Sequence, residues 1–149
     1  MPNPTAPLGV RVCRTDWATD ELPLSHVRRQ VFCVEQGVPV ELEWDHADAE
    51  AVHVIAWRDG EAVGTGRLLP DGKIGRMAVL PALRGLGIGQ ALLELLLRAA
   101  AARGDTHVYL HAQESAVSFY EPHGFIAEGE PYREAGIVHR TMRRAVLAV

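Results

Sequence analysis

The sequence predicts a single α/β domain, a mixed and mostly antiparallel central sheet flanked by helices, and three observations carry that reading. Strand-like segments come early, as a meander joined by the turn signals Asp59-Gly60 and Asp71-Gly72. An amphipathic helical pattern then runs over residues 88–103, followed by a strand, a short helix and a last strand. No repeat, linker or low-complexity stretch divides the 149 residues, the length of one ordinary domain. One domain over 1–149 is expected, with residues 1–8 and their three prolines as a loose lead-in.

Each element has a local cause. Val10 and Val12 alternate with polar positions, so 9–14 reads as a strand. Leu24, Val27, Val31 and Val34 recur at helical spacing with Arg28 and Arg29 among the polar positions, and Gly37 and Pro39 end that helix. Strands are expected at 52–57, 62–69 and 73–80, the last closed by Pro81. In the long helix Gln90, Glu94 and Arg98 form a polar stripe, and Gly104 suits the position just past its end. A strand over 107–111, a short helix over 115–120 and a strand over 136–142 complete the chain.

Composition narrows the function. Hydrophobic residues make up 48% and charged residues 23%, a globular balance. The net charge of −4 argues against sequence-independent nucleic-acid binding, which needs a surplus of Lys and Arg. Cys13 and Cys33 form no CxxC pair and read as free thiols of a reducing compartment. No HExxH motif occurs among the seven histidines, and no metal is expected. The longest apolar-rich run, 91–102, carries Glu94 and Arg98 and is too short to span a bilayer. A cytoplasmic location is the expectation.

The strongest motif is Arg84-Gly85-Leu86-Gly87-Ile88-Gly89, between a strand and the long helix. A glycine-rich turn there presents backbone N–H groups where the helix dipole already favours negative charge. Glycine lets the main chain approach phosphate oxygens that a side chain would block, and Arg84 adds a charged donor. It is not a P-loop, because Gly89 is followed by Gln90 and not by Lys and Ser/Thr. Nor is it a Rossmann turn, because the glycines alternate as GxGxG and come after several strands. The plain alternative is a helix start with flexible glycines.

Met77-Ala78-Val79, a short connection and then R-x-x-G-x-G resemble the acyl-CoA-binding motif of the GNAT acetyltransferase superfamily. Residues 113–125, which include Gln113, Ala116, Phe119-Tyr120-Glu121 and Gly124-Phe125, resemble its second signature, N-x-x-A-x-x-F-Y-E-x-x-G-F. Residues 31–39 and 134–139 are similar to the ElaA-like branch. The resemblance implies a GNAT-like fold and acetyl-CoA as acyl-donor cosubstrate. It also implies that the Met77 backbone bonds the thioester carbonyl, that Val79 beyond Ala78 bonds the pantetheine arm, and that the amides of Gly85, Leu86, Gly87, Ile88, Gly89 and Gln90 hold the pyrophosphate. Tyr120 would protonate the leaving thiolate. Gln113 stands where the family often has Asn.

The chemistry agrees with these roles. Acetyl transfer needs a neutral amine, and free alkylammonium groups have pKa values near ~10. It also needs N–H donors aimed at the developing oxyanion and a positioned acid. The base stays open. Some members carry a Glu four residues before the oxyanion-binding position, which here is Lys73. Candidates are Glu43, Asp45, His53, His111, Glu134 and His139. His53 and His111 fall in strands, where a lone histidine is more often structural. Glu134 and His139 lie five apart around a Gly-containing turn, match the branch pattern and are preferred, and a water chain could serve instead.

The expected activity is transfer of an acetyl group from acetyl-CoA to a primary amine, of a small molecule or a lysine side chain, by direct attack. The rival is a non-catalytic acyl-CoA-binding or sensing module. Acetyl-CoA and an amine are the expected partners, nucleic acid and membrane are not, and a homodimer is compatible with the sequence. Glu41, Glu43, Asp45, Asp48 and Glu50 form either a solvated loop or a rim that attracts a protonated amine.

Overall fold

The computed structural model describes Pro7 and residues 9–146, and the rest of the expected lead-in lies outside the described residues. Strand β1 (Val10–Thr15) runs into Asp16, whose carboxylate caps helix α1 (Trp17–Arg28) by accepting from the Thr19 N–H at 2.8 Å. The helix breaks at Asp20 (φ −124°, ψ 30°), one turn before Pro23, which has no N–H to give that turn. A π-helical segment, Arg29–Glu35, continues α1, and the short helix α2 (Val40–Glu43) follows. Strands β2 (Val52–Arg58), β3 (Glu61–Leu68) and β4 (Lys73–Val79) form the expected meander. Then come helix α3 (Ile88–Arg103), strand β5 (His107–Gln113), helix α4 (Val117–Tyr120) and strands β6 (Ile126–Glu134) and β7 (Ile137–Ala145).

The seven strands make one sheet in the order β1-β2-β3-β4-β5-β7-β6, antiparallel everywhere except between β4 and β5. Helix α3 buries Ile88, Leu92, Leu93 and Leu96 on one face, each worth about 1.5–3 kcal/mol when fully buried. Two glycines of β3 seat it closely. A Cβ on Gly64 would lie 3.0 Å from Leu92 Cδ1, and one on Gly66 would lie 3.0 Å from Leu96 Cδ1 and 2.7 Å from Met77 Sδ. On the other face Leu24, Val27 and Val31 pack on Ile55 and Ala78.

Helix α3 has the expected bounds, and Gly104 ends it in the left-handed region (φ 89°). Two expectations need correction. The first helix starts at Trp17, seven residues before the apolar repeat that announced it, because the Asp16 cap outweighs Pro23. The segment before β7 is a strand that the expected element order lacks. Strand β6 is an exposed edge, and Glu128, Gly129, Glu130 and Pro131 hide its alternation.

Two features of β4 shape the site. Its pairing with β5 covers only Lys73 with Tyr109 and Ile74 with Leu110, and the strands part beyond that point. Against β3, the register shifts between Thr65/Ala78 and Arg67/Gly75, a bulge at which Arg76 takes φ 51° and its carbonyl accepts from the Thr65 hydroxyl at 2.9 Å.

Candidate active site

Where β4 and β5 part, a cleft of about 400 Å³ opens. Its walls come from the segment after α1 (Phe32, Gln36, Val38), from β4 (Lys73, Met77), from β5 (His111, Gln113), and from Tyr120, Glu134 and His139. Beyond Ile74 the edge of β4 has no strand beside it. Met77 lines the cleft, while the Ala78 side chain is buried in the core, so at Ala78 only backbone is available to the cleft.

The turn 84–89 lies at the start of α3. Gly85 and Gly87 have φ of 80° and 90°, and a Cβ on either would meet nothing within 4 Å. Their need for glycine is conformational, and the space around them is open. The first N–H groups of any helix lack intrahelical partners, which here leaves the amides of Ile88, Gly89 and Gln90 available. Leu86 is exposed, and the Ile88 side chain is buried. A Cβ on Gly89 would lie 3.4 Å from the Phe119 ring, so this third glycine serves packing as well. The turn fits a pyrophosphate, as the open strand edge fits a pantetheine arm.

Arg84 is held in this turn. Its Nη1 and Nη2 donate to the two oxygens of Glu35, both at 2.6 Å, and its Nε donates to the Val79 carbonyl at 2.9 Å. Gln113 is held in turn by Gln36. Gln36 Nε2 donates to Gln113 Oε1 at 3.2 Å, and Gln113 Nε2 donates back to Gln36 Oε1 at 2.7 Å. Glu35 and Gln36 lie in the stretch similar to the ElaA-like branch, but no spacing rule points to partners 49 and 77 residues away.

On the opposite wall Glu134 joins two histidines. His111 Nδ1 lies 3.1 Å from its Oε1, and His139 Nε2 lies 3.8 Å from its Oε2. An ionised carboxylate only accepts, so Nδ1 of His111 is the donor, and in the neutral imidazole the lone pair then falls on Nε2. His139 donates through Nδ1 to the Ile137 carbonyl at 2.7 Å. Tyr120 packs edge-on against Phe119 and Phe125, with centroids 4.9 and 5.7 Å away. Burial pushes its phenol above the ordinary tyrosine range, so it keeps its proton well beyond neutral pH.

The other base candidates are otherwise engaged. Glu43 pairs with Arg28, and Asp45 pairs with Arg67 and with Arg76 at 3.3 Å. Asp48 accepts from Arg28 at 2.7 Å and from Arg67 at 2.9 Å. Burial alone would raise the carboxyls of Asp45 and Asp48, but hydrogen bonds and charge from these arginines outweigh it and hold both below the ordinary range. Three carboxylates thus meet three guanidiniums, so Glu43 and Asp45 line the cleft with their charge already paired. His53 lies outside the cleft, is 1% exposed, stacks on Trp17 and hydrogen-bonds the Asp48 carbonyl at 2.9 Å. Burial depresses its pKa, so it is neutral and structural. Among the described residues no three His, Cys, Asp or Glu side chains group to hold a metal ion, and no helix is long and apolar enough to cross a membrane.

Residues 15–146 match the sequence profile of the acetyltransferase (GNAT) domain. The chain belongs to the GNAT acetyltransferase family. It is 37% identical over 123 residues to the uncharacterized N-acetyltransferase YjcF of Bacillus subtilis, covering 80% of this chain and 88% of that protein. It is 36% identical over 132 residues to the ElaA protein of Escherichia coli, covering 83% and 86%. The crystal structure of an acyl-CoA N-acyltransferase from Pseudomonas aeruginosa superposes with a TM-score of 0.82 at 37% identity, covering 91% of this chain and 99% of that one. The seven-stranded sheet is the GNAT fold, and acetyl-CoA is the donor that GNAT enzymes use. Residues 31–39 of this GNAT chain form the wall that carries Glu35 and Gln36, and 134–139 form the hairpin that carries Glu134 and His139.

Proposed function

We propose that this GNAT enzyme moves an acetyl group from acetyl-CoA to a primary amine seated between His111, Glu134 and the apolar wall of Phe32, Val38 and Leu42. One observation carries the reading. A single cleft is lined by the unpaired edge of β4, the strand that leads into the glycine turn of α3, and by a histidine whose Nδ1 faces a carboxylate. On the donor side the backbone of Met77 takes the thioester carbonyl, Val79 takes the pantetheine arm, and the amides from Gly85 to Gln90 take the pyrophosphate together with Arg84. On the acceptor side His111 Nε2 accepts the proton of the ammonium, and Glu134 stabilises the resulting imidazolium. His139 lies on the other side of Glu134, where its imidazolium form would hold the carboxylate in place. Tyr120, a phenol that holds its proton at neutral pH, donates to the departing thiolate.

A carboxylate missing at Lys73 would leave room for a non-catalytic acyl-CoA-binding module. Glu134, from a different strand, supplies one. A thiol-release assay over a panel of small amines and lysine peptides tests the reading, and amine-dependent release of CoA is expected. Binding of acetyl-CoA with no release on any amine would favour the binding module.

A further inference from the structure

We infer that Glu35 and Gln36 form a strap that positions the two side chains through which this enzyme grips its donor. The inference rests on the reading of the cleft as an acyl-CoA site. These adjacent residues close the π-helical segment and reach opposite sides of the parting between β4 and β5. Glu35 holds Arg84, at the turn that begins α3, and Gln36 holds Gln113, at the end of β5.

Donor inventory favours positioning over blockade. A guanidinium has five N–H groups in a rigid fork, and Arg84 spends three of them on Glu35 and Val79. Two remain for phosphate oxygens, with the fork already fixed. The Gln113 amide uses one N–H and one lone pair on Gln36, which leaves one of each for the amides of a pantetheine arm. An arginine and a glutamine that are ordered beforehand lose less rotamer freedom when the donor binds. The same segment lines the acceptor side through Phe32 and Val38, so one short stretch of chain touches both substrates.

Calorimetric double-mutant cycles with CoA and with pantetheine test this on the full chain. Glu35→Ala should weaken CoA about fivefold and leave pantetheine unchanged, and the loss should vanish in an Arg84→Ala background. Gln36→Ala should weaken CoA and pantetheine by the same factor, about fivefold, and lose its effect in Gln113→Ala. Glu35→Gln, which keeps the shape but only one of the two accepting oxygens, should fall between wild type and Glu35→Ala. Additive losses within either pair, or tighter CoA binding in Glu35→Ala, would overturn the strap, the latter by showing that Glu35 competes with the phosphate. Failure of the wild-type protein to bind CoA would instead overturn the reading of the cleft.

Discussion

Glu134 Oε1 lies 3.1 Å from Nδ1 of His111, although their strands, β6 and β5, are separated in the sheet by β7. Glu134 stands where the β6–β7 hairpin turns, through Ala135 and Gly136, both at positive φ (52° and 78°). From there its carboxylate faces the cleft and meets histidines of two other strands.

This arrangement ranks the histidines. His111→Gln should lower kcat by roughly 10²-fold, the range of a positioned base. His139→Gln should cost less than about tenfold, because His139 Nε2 lies 3.8 Å from Glu134, beyond hydrogen-bond reach, and its Nδ1 is committed to the Ile137 carbonyl. Steady-state kinetics on an accepted amine decides it, and a reversed order would make His139 the base.

Tyr120→Phe keeps the ring against Phe119 and Phe125 and removes the proton. If the hydroxyl acts only in the transition state, kcat should fall roughly 10²-fold with CoA affinity nearly unchanged. The deficit should shrink for an acetyl donor whose leaving thiol is more acidic. An equal deficit with every leaving group would remove Tyr120 from the chemistry.

Gly87→Val should lower acetyl-CoA affinity at least about tenfold. A side chain at φ 90° costs of order 1–2 kcal/mol of backbone strain, so some stability is lost as well. Gly104 supplies the control. It ends the same helix at φ 89°, and there too a Cβ would meet nothing within 4 Å. Gly104→Val should therefore lose similar stability by thermal melting while calorimetry finds its affinity intact. Equal affinity loss in both would assign the effect to the helix as a whole.

Asp48→Asn should destabilise the fold by about 2 kcal/mol at neutral pH, because Arg28 and Arg67 lose a shared buried counter-charge. The folded carboxyl of Asp48 is depressed. Its contribution is therefore complete above the unfolded value near ~4 and is lost as pH falls through the lower folded value. Denaturant melts should show the gap between variant and wild type closing on acidification, and a gap that widens would contradict the pairing.

Elements with a strong local signal were legible in the sequence, as the bounds of α3 and the two Asp-Gly hairpins show. Strand β6 was not, since an exposed edge has no buried face to impose alternation. The glycine turn before α3 and the position of Tyr120 in the cleft could be expected because each belongs to a local motif. The pairing of Glu43, Asp45 and Asp48 with Arg28, Arg67 and Arg76 was not, because it depends on where the bulge at Arg76 and the loop after α2 meet in space. His111 was readable as a candidate, but its orientation by Glu134 appears only once β7 lies between them.

The parting of β4 from β5 leaves a bare strand edge in the middle of the sheet. On the outside of a protein such an edge recruits other chains and seeds aggregation. The outer edge at β6 is defended by Glu128, Glu130 and Pro131, which an intruding strand cannot match. The inner edge carries no such defence along Gly75, Met77 and Val79. Its protection is its place inside the sheet, with β5 on one side and the Gln36–Gln113 pair lining the same cleft, so that an intruding strand would have to enter a space already walled by this chain.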